Sequence, residues 1–407
     1  MADKYKWNFK KYFRSSAYGW NGTAKASKRM REAVSEIKKV AKKDSALAGE
    51  GTVELCSRLY PALMYIDSSS GALGTALNRT MDALTPILIS AEWDMNTRGK
   101  WLEKLFDAIQ DEGWGIFDDL RDRWGEICVY PGLANLWADE LIPFVRNCWQ
   151  SEGWHFFAGS DMCLSCLLFT ERYKEIEELL SLRKNTFWPY NKYQAMALAK
   201  QGKQEEALAY AENMKLDDRS GNSNYSINNF CESLLIDMDR TEEAYQKYGL
   251  VFPSRGTYKN IYRSICRKYP DIDKKKILLD CIEKTPESGK WFAAAKDAGF
   301  YDIAIECAKS SSSDPFTLLR ASRDFADKNF KFALVVGVTG IIRMMTGDFY
   351  DKITVFQIIS AYEQVKNMAE EKDKLNDFRY LLVRDIENKH CRADLRNAIV
   401  KKLKQDK

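Results

Sequence analysis

The sequence predicts an all-α fold, an α-solenoid of stacked helical hairpins, and three observations carry that prediction. Six helix-turn-helix junctions recur between residues 163 and 340. Each places a small or apolar residue early in its second helix: Ile176, Ala207, Ala244, Ile277 (after Lys276), Ala304 and Ala333. Their spacings of about 31, 37, 32, 28 and 29 residues lie in the range of helical-hairpin repeats. Apolar residues recur at helical spacing, and no segment shows the alternation of a strand. The 407 residues include only nine Pro and 22 Gly, as long helices joined by short turns require. A single hairpin cannot bury its own apolar face and must stack on its neighbours.

Residues 1–23 mix charge, aromatics and Gly and read as an irregular basic aromatic arm. From 24 to 43, Met30, Val34, Ile37 and Val40 form one apolar stripe, with Thr23 placed to cap the start. Helices follow at about 45–65, 70–91, 97–111, 115–129 and 133–150. Pro61, the DSSSG turn at 67–71, the WDMNT segment at 93–97, Gly113 and the Tyr-Pro-Gly turn at 130–132 mark their breaks. Pro86 and Pro143 are expected to kink or shorten two of these helices. Residues 24–150 therefore read as irregular paired helices of the HEAT type.

The hairpin repeats occupy 151–347, after a Gly/aromatic connector at 151–162. Expected pairs are 163–169 with 176–182, 193–200 with 204–213, 228–237 with 241–248, 258–269 with 274–283, 291–298 with 303–309, and 318–325 with 332–345. Gly202 and Gly299 each stand five residues before their small residue, Ala207 and Ala304. That offset is tetratricopeptide-like: Gly permits a tight turn and Ala lets two helices approach. The Trp, Leu-Gly and terminal Pro of the full signature are missing. In the final segment, 348–407, a cap at 351–354 precedes a helix at 355–371. A charged helix at 373–404 closes the chain.

The net charge of +4 conceals an asymmetry. Residues 1–43 hold 13 Lys/Arg against Asp3, Glu32 and Glu36, so they carry +10 and the remainder carries −6. A basic head on an acidic body points to a local anionic partner. No apolar run is long enough to span a bilayer and no signal-peptide pattern is visible, so a cytoplasmic location is expected. Ten scattered Cys read as free thiols.

Four site candidates stand beside plainer readings. Cys148, His155, Cys163 and Cys166 are four soft ligands close in sequence, but their order matches no zinc motif, and Cys in an apolar helix packs as a small core residue. The loop at 67–75 has backbone amides at a helix start, but lacks the Gly-Lys-Ser/Thr of a phosphate loop, and its serines suit helix capping. Acid/base chemistry lacks a His pair, and only carboxylates converging from separate helices would supply it. In the arm, Lys4, Lys6, Lys10, Lys11 and Arg14 alternate with aromatics including Trp7 and Tyr12. Such rings stack bases while the cations contact phosphates, or else they dock the arm on the first helices.

Several stretches resemble an uncharacterised bacterial family of helical-repeat proteins. They include REAVSEIKKVAKKD (31–44), LYPALMYIDSSSGALGTALN (59–78), WLEKLFDAIQDEG (101–113), CLSCLLFTERYKEIEELL (163–180) and GKWFAAAKDAGFYDIAIECA (289–308). The resemblance implies fold and bacterial origin, and brings no catalytic residue and no cofactor. The resulting expectation is a non-catalytic scaffold that binds a protein or peptide in a groove, with Tyr193, Tyr225, Tyr258 and Tyr262 as groove contacts. The alternatives are nucleic-acid binding through residues 1–43, and an enzyme whose site is invisible in sequence.

Overall fold

The computed structural model describes residues 5–151, 156–184, 186–217, 224–253, 256–347 and 352–406. Among them every regular element is helical, and helices pack in neighbouring pairs, as stacked hairpins require. The chain divides into two compact units, Met1–Leu234 and Leu235–Lys407.

In the first unit the helix Thr23–Ala41 buries Ala26, Met30, Ala33 and Ile37. Val34 and Val40, expected on that stripe, are only half-buried. Gly22, not Thr23, occupies the N-cap; the Thr23 hydroxyl instead donates to the Asp67 carbonyl. Pro61 does not break the next helix, which runs Ser45–Leu63. Proline lacks the N–H that would reach the Ser57 carbonyl, but it stands in the last turn, so the helix loses one bond and still runs on to Leu63. The Pro61 carbonyl accepts from the Ser16 amide at 2.8 Å, tying the arm to this helix. Residues 115–129 form not one helix but two short ones, Asp118–Asp122 and Trp124–Cys128. They part at Arg123 (φ −111°, ψ 19°), outside helical geometry. Buried Arg98 ties this region together by donating to the carbonyls of Leu88, Ala91 and Ile127.

Helices form on both sides of all six expected junctions, and Ile176, Ala207, Ala244, Ile277, Ala304 and Ala333 are fully buried. Four of these junctions, and a fifth between the helices Val355–Glu371 and Leu375–Asn388, share one turn. A residue at positive φ ends the first helix: Glu171 (60°), Gly202 (78°), Asp239 (58°), Gly299 (83°) and Asp373 (56°). In each, the next residue's amide reaches back five positions: Arg172 to Leu167, Lys203 to Leu198, Arg240 to Leu235, Phe300 to Ala295 and Lys374 to Ala369, at 2.8–3.0 Å. This is the Schellman motif, which satisfies helix-end carbonyls that otherwise lack donors. Four of the five then pair a basic residue with an acid three positions on: Arg172–Glu175, Lys203–Glu206, Arg240–Glu243 and Lys374–Asp377. The expected helix at 241–248 widens after Ala244 into a π turn at Tyr245–Gly249.

In the second unit, the helix Phe330–Thr346 is apolar on nearly all sides and buried, as that pattern demands. Thr354 caps the helix Val355–Glu371 in a capping box with Gln357; Asp351 of the expected cap lies outside the described residues. The expected final helix is two, Leu375–Asn388 and Ala393–Gln405. Arg392 breaks it: its amide donates to the Met345 carbonyl and its guanidinium to the Ile353 carbonyl. No helix among the described residues is long and apolar enough to cross a membrane.

Candidate functional site

The arm is part of the first unit's core. Trp7, Phe9, Phe13 and Tyr18 are buried. Trp7 lies so close over Gly51 that a Cβ there would sit 2.2 Å from the ring. Glu36 accepts from the amides of Asn8 (2.9 Å) and Phe9 (3.3 Å), and Lys10 pairs with Glu54 at 2.7 Å. Burial opposes ionisation of Glu54, but bonds from Lys10 and Lys104 overcome it and hold its carboxyl down to about 2. Tyr12 is half-buried beneath the Arg29 guanidinium, 3.8 Å from the ring centre. The alternation of rings and cations is thus the mark of a docked segment, and Trp7 has no free face on which a base can stack. Lys6, Lys11 and Arg14 remain exposed, as do Lys25, Lys28, Arg31, Lys38 and Lys39 on the following helix. Lys4 lies outside the described residues.

The cysteine candidate is not assembled. Cys163 and Cys166 are buried within the helix Gly159–Phe169, and burial pushes the Cys163 thiol up to about 12 and the Cys166 thiol well above its usual value. Zinc needs thiolates, which this apolar setting disfavours. Cys166 meets Cys128, and Cys148 is only half-buried. His155 lies outside the described residues, among which no group of three metal-ligating side chains occurs. In the 67–75 loop, the Asp67 carboxylate accepts from the Ser69 amide and the Ser70 hydroxyl from the Ala72 amide, so the loop caps itself.

Of the four groove tyrosines, Tyr193 is core, while Tyr258 and the largely buried Tyr262 line a groove. Tyr193 is 1% exposed and donates to an Asp122 carboxylate oxygen at 3.1 Å. Tyr262 is 5% exposed and donates to the Lys274 carbonyl. Tyr225 is 39% exposed. Tyr258 sits edge-on to buried Trp291, 4.8 Å between ring centres, and lines a groove.

That groove belongs to the second unit. It consists of two recesses, of about 620 and 740 Å³, which meet at Lys259, Asn260 and Arg263. Its walls come largely from the first helices of three successive hairpins: Tyr258–Lys268, Phe292–Asp297 and Pro315–Phe325. The apolar stripe of Tyr258–Lys268 (Ile261, Tyr262, Ile265) turns inward, which leaves Lys259, Arg263 and Arg267 toward the recesses. Lys274 and Lys290 add to them, against two lining carboxylates, Asp297 and Asp314. Burial of Asp297 favours its neutral form, but Lys259 and Lys296 overcome this and keep its carboxyl below the usual range. Arg263 stands 3.5 Å from the same carboxylate. Ala293, Ala294, Ala298 and Phe292 supply apolar floor between the cations.

A second concavity lies in the first unit. Asp118, Arg121 and Asp122 from the short helix Asp118–Asp122 face Asp161 from Gly159–Phe169 and Lys192 from Trp188–Lys200 across a cleft of about 330 Å³. Carboxylates from separate helices do converge here. Lys192 holds Asp122 at 2.6 Å, and Arg121 engages Glu112 and Asp118.

No family model, no curated protein and no solved structure matches this chain.

Proposed function

We propose that the protein is a non-catalytic helical-repeat scaffold, bacterial and cytoplasmic, whose second unit binds an acidic peptide segment of a partner protein. The observation that carries this reading is the groove around Tyr258–Lys268. Five lining cations face two carboxylates, and small apolar residues separate them. Charge complementarity of this kind steers an anionic partner and fixes its register. The apolar floor suits side chains that alternate with Glu or Asp along an extended peptide. Stacked hairpins create such extended surfaces, and a partner can span more than one of them.

The test is a titration of a fluorescein-labelled ten-residue peptide of alternating Glu and Leu against the full chain and against Lys259→Glu/Arg263→Glu. The proposal expects binding that weakens with salt and is lost in the double variant. Equal binding by the two chains would remove the groove from the account.

A second reading rests on the exposed cations of Thr23–Ala41. With Trp7 docked, it takes the form of phosphate contact without base stacking. It expects nucleic-acid binding with a steep salt dependence, abolished by reversing Lys25, Lys28 and Arg31. Unchanged binding in that variant would exclude it.

A further inference from the structure

The cleft in the first unit contains one acid that its surroundings leave unsatisfied. Asp161 has a side chain only 13% exposed. Its Oδ1 is shielded from solvent and has no hydrogen-bond partner among the described residues. Of the neighbouring cations only Arg121 pairs with it, and only at long range. Arg121 directs its terminal nitrogens to Glu112 and Asp118, and its Nε stands 4.0 Å from Asp161 Oδ2, beyond hydrogen-bond length. Lys192 is 2.6 Å from Asp122. The Arg183 guanidinium lies over the rings of Trp149 and Tyr190, at 5.0 and 4.7 Å. Two cations, Arg121 and Lys192, thus pair with four carboxylates, and Asp161 holds only the long Arg121 contact. The Asp161 carboxylate lines the cleft, and a cation entering there adds the counter-charge that this poorly paired group lacks.

We propose that this cleft binds a small organic ammonium ion, its charge on the Asp161 carboxylate and its alkyl part against Phe187 and Trp188. The excess carboxylate selects a cation over an anion. Phe187 and Trp188 line the same cleft, and aromatic rings attract an alkylammonium through their negative π clouds. The volume of about 330 Å³ is at the small end of ligand pockets. A hard divalent metal ion is a poorer fit, because it needs six or more oxygens. Here both Asp122 carboxylate oxygens are already engaged, by Lys192 and Tyr193.

The site also has a pH signature. Burial raises the Asp161 carboxyl to about 7; the Asp122 charge adds to this, while Lys192, Arg121 and Arg183 oppose it. Tyr190 and Tyr193, which face it from Trp188–Lys200, are both raised and stay protonated throughout this range. Below about 7 an entering ammonium must displace the Asp161 proton. Its apparent affinity therefore falls about tenfold per pH unit on the acid side and levels off above pH 7.

The experiment is calorimetric titration of the full chain with n-butylammonium at pH 6 and pH 8, with n-butanol as the uncharged control. The proposal expects binding at pH 8, about tenfold weaker binding at pH 6, and none for butanol. Asp161→Asn should abolish it, and Phe187→Ala, at a partly exposed ring, should weaken it several-fold with the helical circular dichroism unchanged. Equal binding of butanol, full binding by Asp161→Asn, or no heat with n-butylammonium at pH 8 would each overturn the proposal.

Discussion

The five Schellman junctions make a two-sided prediction. Gly202 sits at φ +78°, and a Cβ built there meets nothing within 4 Å. Its replacement by Ala therefore tests backbone strain alone. An L-residue in the left-handed region costs about 1–2 kcal/mol. Loss of the glycine's freedom in the unfolded chain offsets about 0.4–1 kcal/mol of that. Gly202→Ala should thus destabilise by about 1 kcal/mol. Glu171 presents the opposite case: it holds φ +60° in the equivalent turn with an exposed side chain. Glu171→Gly relieves the strain at a similar entropic cost and should stabilise by about 0.5–1 kcal/mol. Asp239→Gly should gain less, because Asp tolerates this region better. Urea unfolding followed by far-UV circular dichroism measures all three as midpoint shifts at constant slope. A lower midpoint for Glu171→Gly, or a higher one for Gly202→Ala, would refute the claim that one strained turn is shared by these junctions.

Other expectations follow from single contacts. Trp7→Ala removes a core ring and should cost about 3–5 kcal/mol in the unfolding of the first unit; a neutral result would mean the arm is not docked. Arg98→Met takes the guanidinium from the Leu88, Ala91 and Ile127 carbonyls, of which Leu88 and Ala91 keep backbone donors, and should cost about 1–3 kcal/mol by the same assay. The Glu54 carboxyl is depressed in the folded state, so its contribution is present above its unfolded value near 4.5 and is lost as pH falls toward about 2. Glu54→Gln should flatten the acid limb of the melting temperature against pH in that window. Asp161 has the opposite sign: its folded value of about 7 lies above the unfolded one, so its burden grows as pH rises from about 4 to 7. Asp161→Asn should raise the melting temperature at pH 8 and change little at pH 4. Asp297→Asn frees Lys259 and Arg263 and should tighten the Glu/Leu peptide about 3- to 10-fold in the fluorescence titration.

The hairpin architecture was legible because its marks are local. A small residue where two helices touch must be buried, and all six such positions are. Glycine at positive φ exposed two of the turns. The equivalent Glu171, Asp239 and Asp373 escaped notice because acidic residues carry no compositional mark of a left-handed conformation. The signal that would have found them is the base followed three positions later by an acid, as in Arg172 and Glu175. The arm shows the reverse case: alternating rings and cations describe a docked strap and a stacking platform equally well, and only the space over Gly51 decides between them. The Asp161 cleft was illegible for a different reason. Its carboxylates and cations come from separate helices, and nothing in the spacing of Asp122, Asp161 and Lys192 says that these helices meet. The basic groove was hidden likewise, since its cations are spread over hairpins whose overall charge is mixed.

Hydrogen–deuterium exchange of the full chain, with and without the Glu/Leu peptide, tests the acidic-peptide groove most directly. The groove account expects slowed exchange over the helices Tyr258–Lys268 and Phe292–Asp297, with Thr23–Ala41 unchanged. Protection confined to Thr23–Ala41 would contradict it and move the anionic partner to the basic head.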